Sequence, residues 1–143
     1  YPLEIAKLSP ELSIVSEACP MWVPLIENNE HKSPGADYFV EQHVKRLMNA
    51  DNQIDAIILG CTHYPLLKNK IKAYLPNNVE IISQGEIVAS SLADYLLRHP
   101  EMDARCTKNG EIRFLTTENP DKFSASASIF LSENIHATRV EVE

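Results

Sequence analysis

The stretch "IDAIILGCTHYPLLKNKIKAYLPNNVEIIS" (Ile54 to Ser83) decides the fold. Its apolar run, Ala56 to Leu59, stops at Gly60 as a buried strand does. Pro65 opens a helical stretch with Leu67, Ile71 and Tyr74 on one side, and Pro76-Asn77-Asn78 ends it. "VEIIS" is then a second strand. Strand, helix and strand in so short a span make a βαβ unit, whose strands run parallel with a right-handed crossover.

The same alternation extends outward. Upstream, "YPLEIAKLSPE" reads as the tail of a helix stopped before Pro10. "LSIVSEA" alternates as a short strand, and "CPMWVPLIENN" as a loop with a helical turn. A longer helix then begins at Ser33, a cap, with Pro34 in its first turn. Phe39, Val40, His43, Val44, Leu47 and Met48 recur along it at helical spacing. Downstream, "GEIVASSLADYLLRH" is amphipathic through Val88, Leu92, Tyr95 and Leu96, and Pro100 closes it. "EMDARCTKNG" is a charged loop and "EIRFLTT" a strand. "NPDKFSASASIFL" carries Asn119 as cap and Pro120 at the first helical position, and "TRVEVE" ends the chain as a strand. The pattern predicts an α/β fold, a mainly parallel sheet with flanking helices.

Of the 143 residues, 13 are basic and 20 acidic, a net charge of -7 that argues against a nucleic-acid partner. No apolar run reaches membrane-spanning length, so no membrane role is expected. "EIAK" interrupts any signal-peptide pattern. Cys19, Cys61 and Cys106 are odd in number and widely spaced, which gives no disulfide framework and favours a reducing cytoplasm. The glycine-rich cradles for nucleotides are absent.

In parallel sheets, ligands sit beyond the carboxyl ends of the strands. Cys61 lies there, one residue past Gly60. A strand-to-helix turn would place Cys61 and Thr62 near a helix N-terminus, where free N–H groups attract a carboxylate and favour thiolate. Thr62 offers an amide and a hydroxyl, and His63 can hold a proton near neutral pH. A cysteine after an apolar strand is more often a small buried hydrophobe. No C-x-x-C or H-x-x-x-H completes a zinc set, so no metal is expected. A cysteine hydrolase built on Cys61 and His63 is disfavoured by their closeness across one turn. These residues alone leave the buried-sulfur and reactive-thiol readings both open.

"LGCTHYPLL" (Leu59 to Leu67) resembles the block around the second catalytic cysteine of glutamate racemases, in the aspartate/glutamate racemase family. "ACPMWVPLIE" (Ala18 to Glu27), "ISQGEIVA" and "RFLTTENPDKF" resemble further blocks of the same family. The family's early Asp-Ser pair and its Cys-Asn-Thr block, which holds the first catalytic cysteine, have no counterpart here. Cys19 stands in a different context. The chain thus resembles the C-terminal half of a glutamate racemase, one part of a two-domain pseudo-symmetric fold.

That resemblance implies cofactor-independent interconversion of L- and D-glutamate by two thiols on opposite faces of the α-carbon. Cys61 is then one acid/base, His63 assists it, Thr62 contacts the substrate, and Glu27 supports the site. The resemblance also implies residues 1–84 as most of the second domain and 85–143 as a segment completing the first. It implies a homodimer in the full protein, a D-glutamate supply for peptidoglycan, and a bacterial cytoplasm. A fragment with one of the two thiols is expected to be inactive alone, with the missing N-terminal half as its partner. An amino-acid-binding module with a structural Cys61, or an aspartate racemase, are the alternatives. Residues 85–143 are expected to expose an apolar face.

Overall fold

The computed structural model describes residues 1–142. The chain divides into two compact units, Tyr1–Val88 and Ala89–Glu143.

The first unit opens with helix α1 (Pro2–Leu8) and α2 (Trp22–Glu27). Helix α3 (Pro34–Ala50) begins where the sequence places it, with Ser33 Oγ accepting the Ala36 amide at 3.3 Å. That bond satisfies one of the orphan N–H groups of the first turn. Strand β1 (Ala56–Ile58) pairs in parallel with β2 (Glu80–Ile82), Ala56 opposite Glu80 and Ile58 opposite Ile82. The crossover is a 3₁₀ turn (Tyr64–Leu67) running into helix α4 (Lys68–Tyr74). The turn winds tightly because its bonds span three residues, as in Leu66 N–H to His63 C=O at 3.1 Å.

Ile26, Val40, Leu67 and Ile71 fill the space between α2, α3 and α4, all less than 2% exposed. Each stabilises the unit by roughly 1.5–3 kcal/mol through burial. Lys70 on α4 forms an ion pair with Asp37 on α3 at the edge of this core.

Helix α5 (Gln84–Arg98) follows β2. The second unit continues with a helical turn α6 (Pro100–Asp103), where the sequence reads as a loop. Pro100 begins a turn as readily as it closes one, since its missing N–H is an orphan at the first helical position. Strand β3 (Phe114–Thr116) pairs in parallel with β4 (Ala137–Arg139) across helix α7 (Pro120–Leu131). Asn119 Oδ1 caps α7 by accepting the amides of Asp121 at 2.8 Å and Lys122 at 3.1 Å. The serines of "SASAS" have a use: Ser124 and Ser128 accept the amides of Ala137 and Ile135, tying α7 to the approach of β4. The expected last strand, Thr138 to Glu143, is shorter than read and begins one residue earlier; Glu143 lies outside the described residues. The apolar stripe of α5 stays uncovered, with Val88 60% and Leu92 55% exposed.

The α/β class is as expected, with small parallel sheets and flanking helices. Two expectations fail in the first unit. "LSIVSEA" is in no strand, because a strand needs a ladder and no strand among the described residues pairs with it. β1 is not buried: Ala56 is exposed and Ile58 is 41% exposed. A parallel strand becomes buried when strands flank it on both sides and helices cover both faces. β1 has one neighbour, β2.

Candidate functional site

β1 ends at Ile58, and Leu59 is drawn toward the sheet by its N–H, which donates a hydrogen bond to the Ile82 carbonyl at 3.0 Å. The chain then turns sharply through Gly60. A Cβ at that position would sit 3.2 Å from Cε2 of the Tyr1 ring, so glycine allows the aromatic to pack against the turn. Cys61, Thr62 and His63 form the turn itself. It is closed by the Tyr64 amide donating to the Cys61 carbonyl at 3.2 Å.

The turn gathers the four residues singled out in the sequence. Cys61 Sγ, half-buried, lies 3.8 Å from His63 Nδ1, and Thr62 Oγ1 lies 3.4 Å from the same nitrogen. On the far side of the ring, His63 Nε2 faces Glu27 Oε1 at 3.4 Å, from the end of α2. With its proton on Nε2, the imidazole donates to Glu27, and Nδ1 is left to accept from the thiol. That arrangement can draw a proton off Cys61 and return it. Glu27 is 61% exposed, so its pairing with His63 orients the ring and adds little energy. The amides of Cys61 and Thr62 make no hydrogen bond among the described residues. Two adjacent free donors beside a thiol suit an anionic ligand group.

One part of the expectation changes. The thiol does not sit at the N-terminus of an α-helix, because the 3₁₀ turn intervenes and α4 starts only at Lys68. Helix-end electrostatics fades within a turn. The anion-seeking groups near Cys61 are therefore the turn's own amides.

Cys19 is a contrast. It is buried, its thiol directed to the Glu17 carbonyl at 3.7 Å. Burial pushes its pKa up to about 12, the Glu17 carboxylate adds to the shift and Arg46 opposes it. Cys19 stays a protonated thiol and cannot serve as a base near neutral pH. Cys106 is exposed in the second unit.

Tyr64 was not singled out in the sequence. Its hydroxyl donates to the Cys19 carbonyl at 3.4 Å, and its ring meets Trp22 edge-on with centroids 4.8 Å apart. Burial raises its pKa, and negative charge on Cys19 or Cys61 would raise it further. A part-buried pair was also missed: His43 Nδ1 lies 2.7 Å from Glu17 Oε1, which Arg46 also approaches at 3.3 Å. Glu17 sits in "LSIVSEA", whose alternation reads as a strand, and nothing in that spacing links it to α3. Among the described residues, no three His, Cys, Asp or Glu side chains converge to hold a metal, and no helix is long and apolar enough to cross a membrane.

No family model matches the chain. It is 34% identical over 142 residues to the glutamate racemase of Streptococcus suis strain 05ZYH33, covering 99% of this chain and 53% of that protein. A glutamate racemase isoform from Bacillus anthracis superposes with a TM-score of 0.87 at 32% identity, over 99% of this chain and 52% of its own. The glutamate racemase of Francisella tularensis, crystallised with D-glutamate, superposes with a TM-score of 0.81 at 29% identity, over 100% of this chain and 51% of its own. The chain spans about half the length of the relatives it matches.

Proposed function

From a chain that is a homologue of the glutamate racemases over about half of their length, we propose one half-site of a glutamate racemase. The observation that carries this reading is the turn past β1. It holds a half-buried thiol, two free amides, and an imidazole 3.8 Å from the sulfur.

In this reading the substrate α-carbon lies against Cys61 Sγ. As thiolate, Cys61 takes the α-proton, and the C–H electron pair remains on the substrate as a carbanionic species. A second thiol, outside this chain, gives a proton to the opposite face and inverts the centre. In the reverse direction the roles exchange. No oxidant, metal or cofactor enters the balance. The carbanion beside a carboxylate is costly, and the free amides of Cys61 and Thr62 are the donors that stabilise it. His63 takes and returns the Cys61 proton, and Glu27 holds the imidazole in the tautomer that permits this.

The N-terminal half of the enzyme is the partner this reading requires, with a homodimer of the completed protein. D-glutamate for peptidoglycan in a bacterial cytoplasm is the role that follows. The isolated chain supplies one thiol and is inactive.

The test assembles this chain with the half of the Streptococcus suis relative that it does not match, and follows glutamate by chiral chromatography. The expected result is conversion of L- to D-glutamate and the reverse. Inversion of aspartate with glutamate untouched makes the site an aspartate racemase. Glutamate bound but unchanged makes it a carboxylate-binding module. Either outcome overturns the proposal.

A further inference from the structure

The Cys61 turn touches helix α2 at two places. At the end of α2, His63 Nε2 faces Glu27 Oε1 at 3.4 Å. At its start, Trp22 meets the Tyr64 ring edge-on, and the Tyr64 hydroxyl donates to the carbonyl of Cys19 in the loop that leads into α2. Trp22 is the first residue of α2 and Glu27 the last, so the two contacts lie roughly 8 Å apart along the helix axis.

The contacts are unequal. The Glu27 and His63 side chains are 61% and 31% exposed, and a pair so open to water holds little. The contact at the start of α2 is dry, with Trp22 and Cys19 both buried. Trp22 is braced from α3 as well, where His43 meets it edge-on with centroids 5.9 Å apart. Among the described residues nothing accepts a hydrogen bond from the buried Trp22 Nε1, so packing places the indole. Burial, and then charge on Cys19 and Cys61, raise the Tyr64 pKa, so the phenol keeps its proton and stays a donor. The Tyr64 amide also closes the turn on the Cys61 carbonyl at 3.2 Å. Tyr64 thus joins the turn that carries the thiol to a buried, braced ring.

The contact that most needs holding is the one between sulfur and imidazole. Cys61 Sγ and His63 Nδ1 are 3.8 Å apart. A displacement of about 1 Å in such a pair can cost a hundredfold in rate. We infer that Tyr64 is a positioning residue of the half-site: anchored on Trp22 and the Cys19 carbonyl, it holds the turn so that His63 Nδ1 stays within reach of Cys61 Sγ. The inference rests on the half-site reading above for the work the thiol does. Tyr64 itself touches no reacting atom.

The experiment treats the chain with iodoacetamide near neutral pH and follows each cysteine by peptide mass spectrometry. The Cys61 thiolate displaces iodide, and its proton passes to His63. Cys106 is exposed and serves as the reference, while Cys19 is buried and reports any loosening of the fold. Tyr64→Phe keeps the ring contact and loses the hydroxyl; Tyr64→Leu loses both. Cys61 labelling is expected to slow about threefold in Tyr64→Phe and about tenfold in Tyr64→Leu, with Cys19 and Cys106 as in the parent. On a His63→Asn background, the same substitutions are expected to change Cys61 labelling by less than about twofold, because the group that Tyr64 positions is gone. Labelling of Cys61 that is unchanged or faster in Tyr64→Leu overturns the inference. So does an equal loss with and without His63, or a loss accompanied by labelling of Cys19, either of which makes the role of Tyr64 structural. Racemisation by the assembled protein is read separately: coupling of Tyr64 to His63 without racemisation removes the half-site reading and leaves the anchor, and racemisation without coupling does the reverse.

Discussion

In the assembled protein, Cys61→Ser is expected to lower glutamate racemisation by at least about a thousandfold, the upper part of the range for losing a general acid/base. The substitution changes one atom and keeps the shape of the turn, so the loss reports chemistry. A thiol titrates near pH 8.5 and can carry the proton in either direction, whereas a serine hydroxyl is far too weak an acid at neutral pH. The neighbours rank below it by geometry. His63→Asn removes the proton acceptor 3.8 Å from the sulfur and is expected to cost roughly ten- to a hundredfold. Glu27→Gln loses an exposed contact at 3.4 Å and is expected to cost less than about tenfold. Steady-state rates of the three variants check the order. A Cys61→Ser protein within tenfold of the parent removes Cys61 from the chemistry.

The largest expected effect on stability is at Ile26. Truncating a buried isoleucine to alanine costs roughly 2–5 kcal/mol, and the value depends on how far the surroundings collapse or admit water. Ile26 is 0% exposed and does not border the cleft beside β1. With the side chain fully out of solvent, the void is expected to stay dry, and the cost is expected at about 4 kcal/mol. Ile71, 1% exposed, lines the cleft of about 660 Å³ beside β1, from which solvent is expected to relieve the void. Ile71→Ala is therefore expected near the low end, about 2 kcal/mol. Urea midpoints for the two variants measure the difference. A domain stabilised by roughly 5–15 kcal/mol would lose a large share of that at Ile26. An Ile71 variant less stable than the Ile26 variant contradicts this account of the core.

The local signals in the sequence were sufficient wherever an element is stabilised by its own residues. Ser33-Pro34 and Asn119-Pro120 mark the starts of α3 and α7 because cap and proline act within one turn. The apolar runs around Ile57 and Ile81 mark β1 and β2. The reading failed where an element depends on distant partners. "LSIVSEA" has the alternation of a strand, but a strand exists only in a ladder. β1 has the apolar run of a central strand, and its exposure at Ile58 goes with pairing to β2 alone among the described residues. The turn from Cys61 to His63 was legible as a local cluster, while the approach of Glu27 rested on family resemblance alone. The Glu17–His43 pair, 26 residues apart in sequence, left no trace in periodicity.

The account turns on a single claim, that this chain carries one of two proton-transferring thiols. Purified chain alone, incubated at high concentration with L-glutamate and analysed by chiral chromatography, tests it most directly. The account predicts no D-glutamate above a protein-free control, because it assigns the second thiol to the half of the enzyme outside this chain and Cys19 is held protonated by burial. Sustained formation of D-glutamate by the isolated chain, abolished by Cys61→Ser, would contradict it.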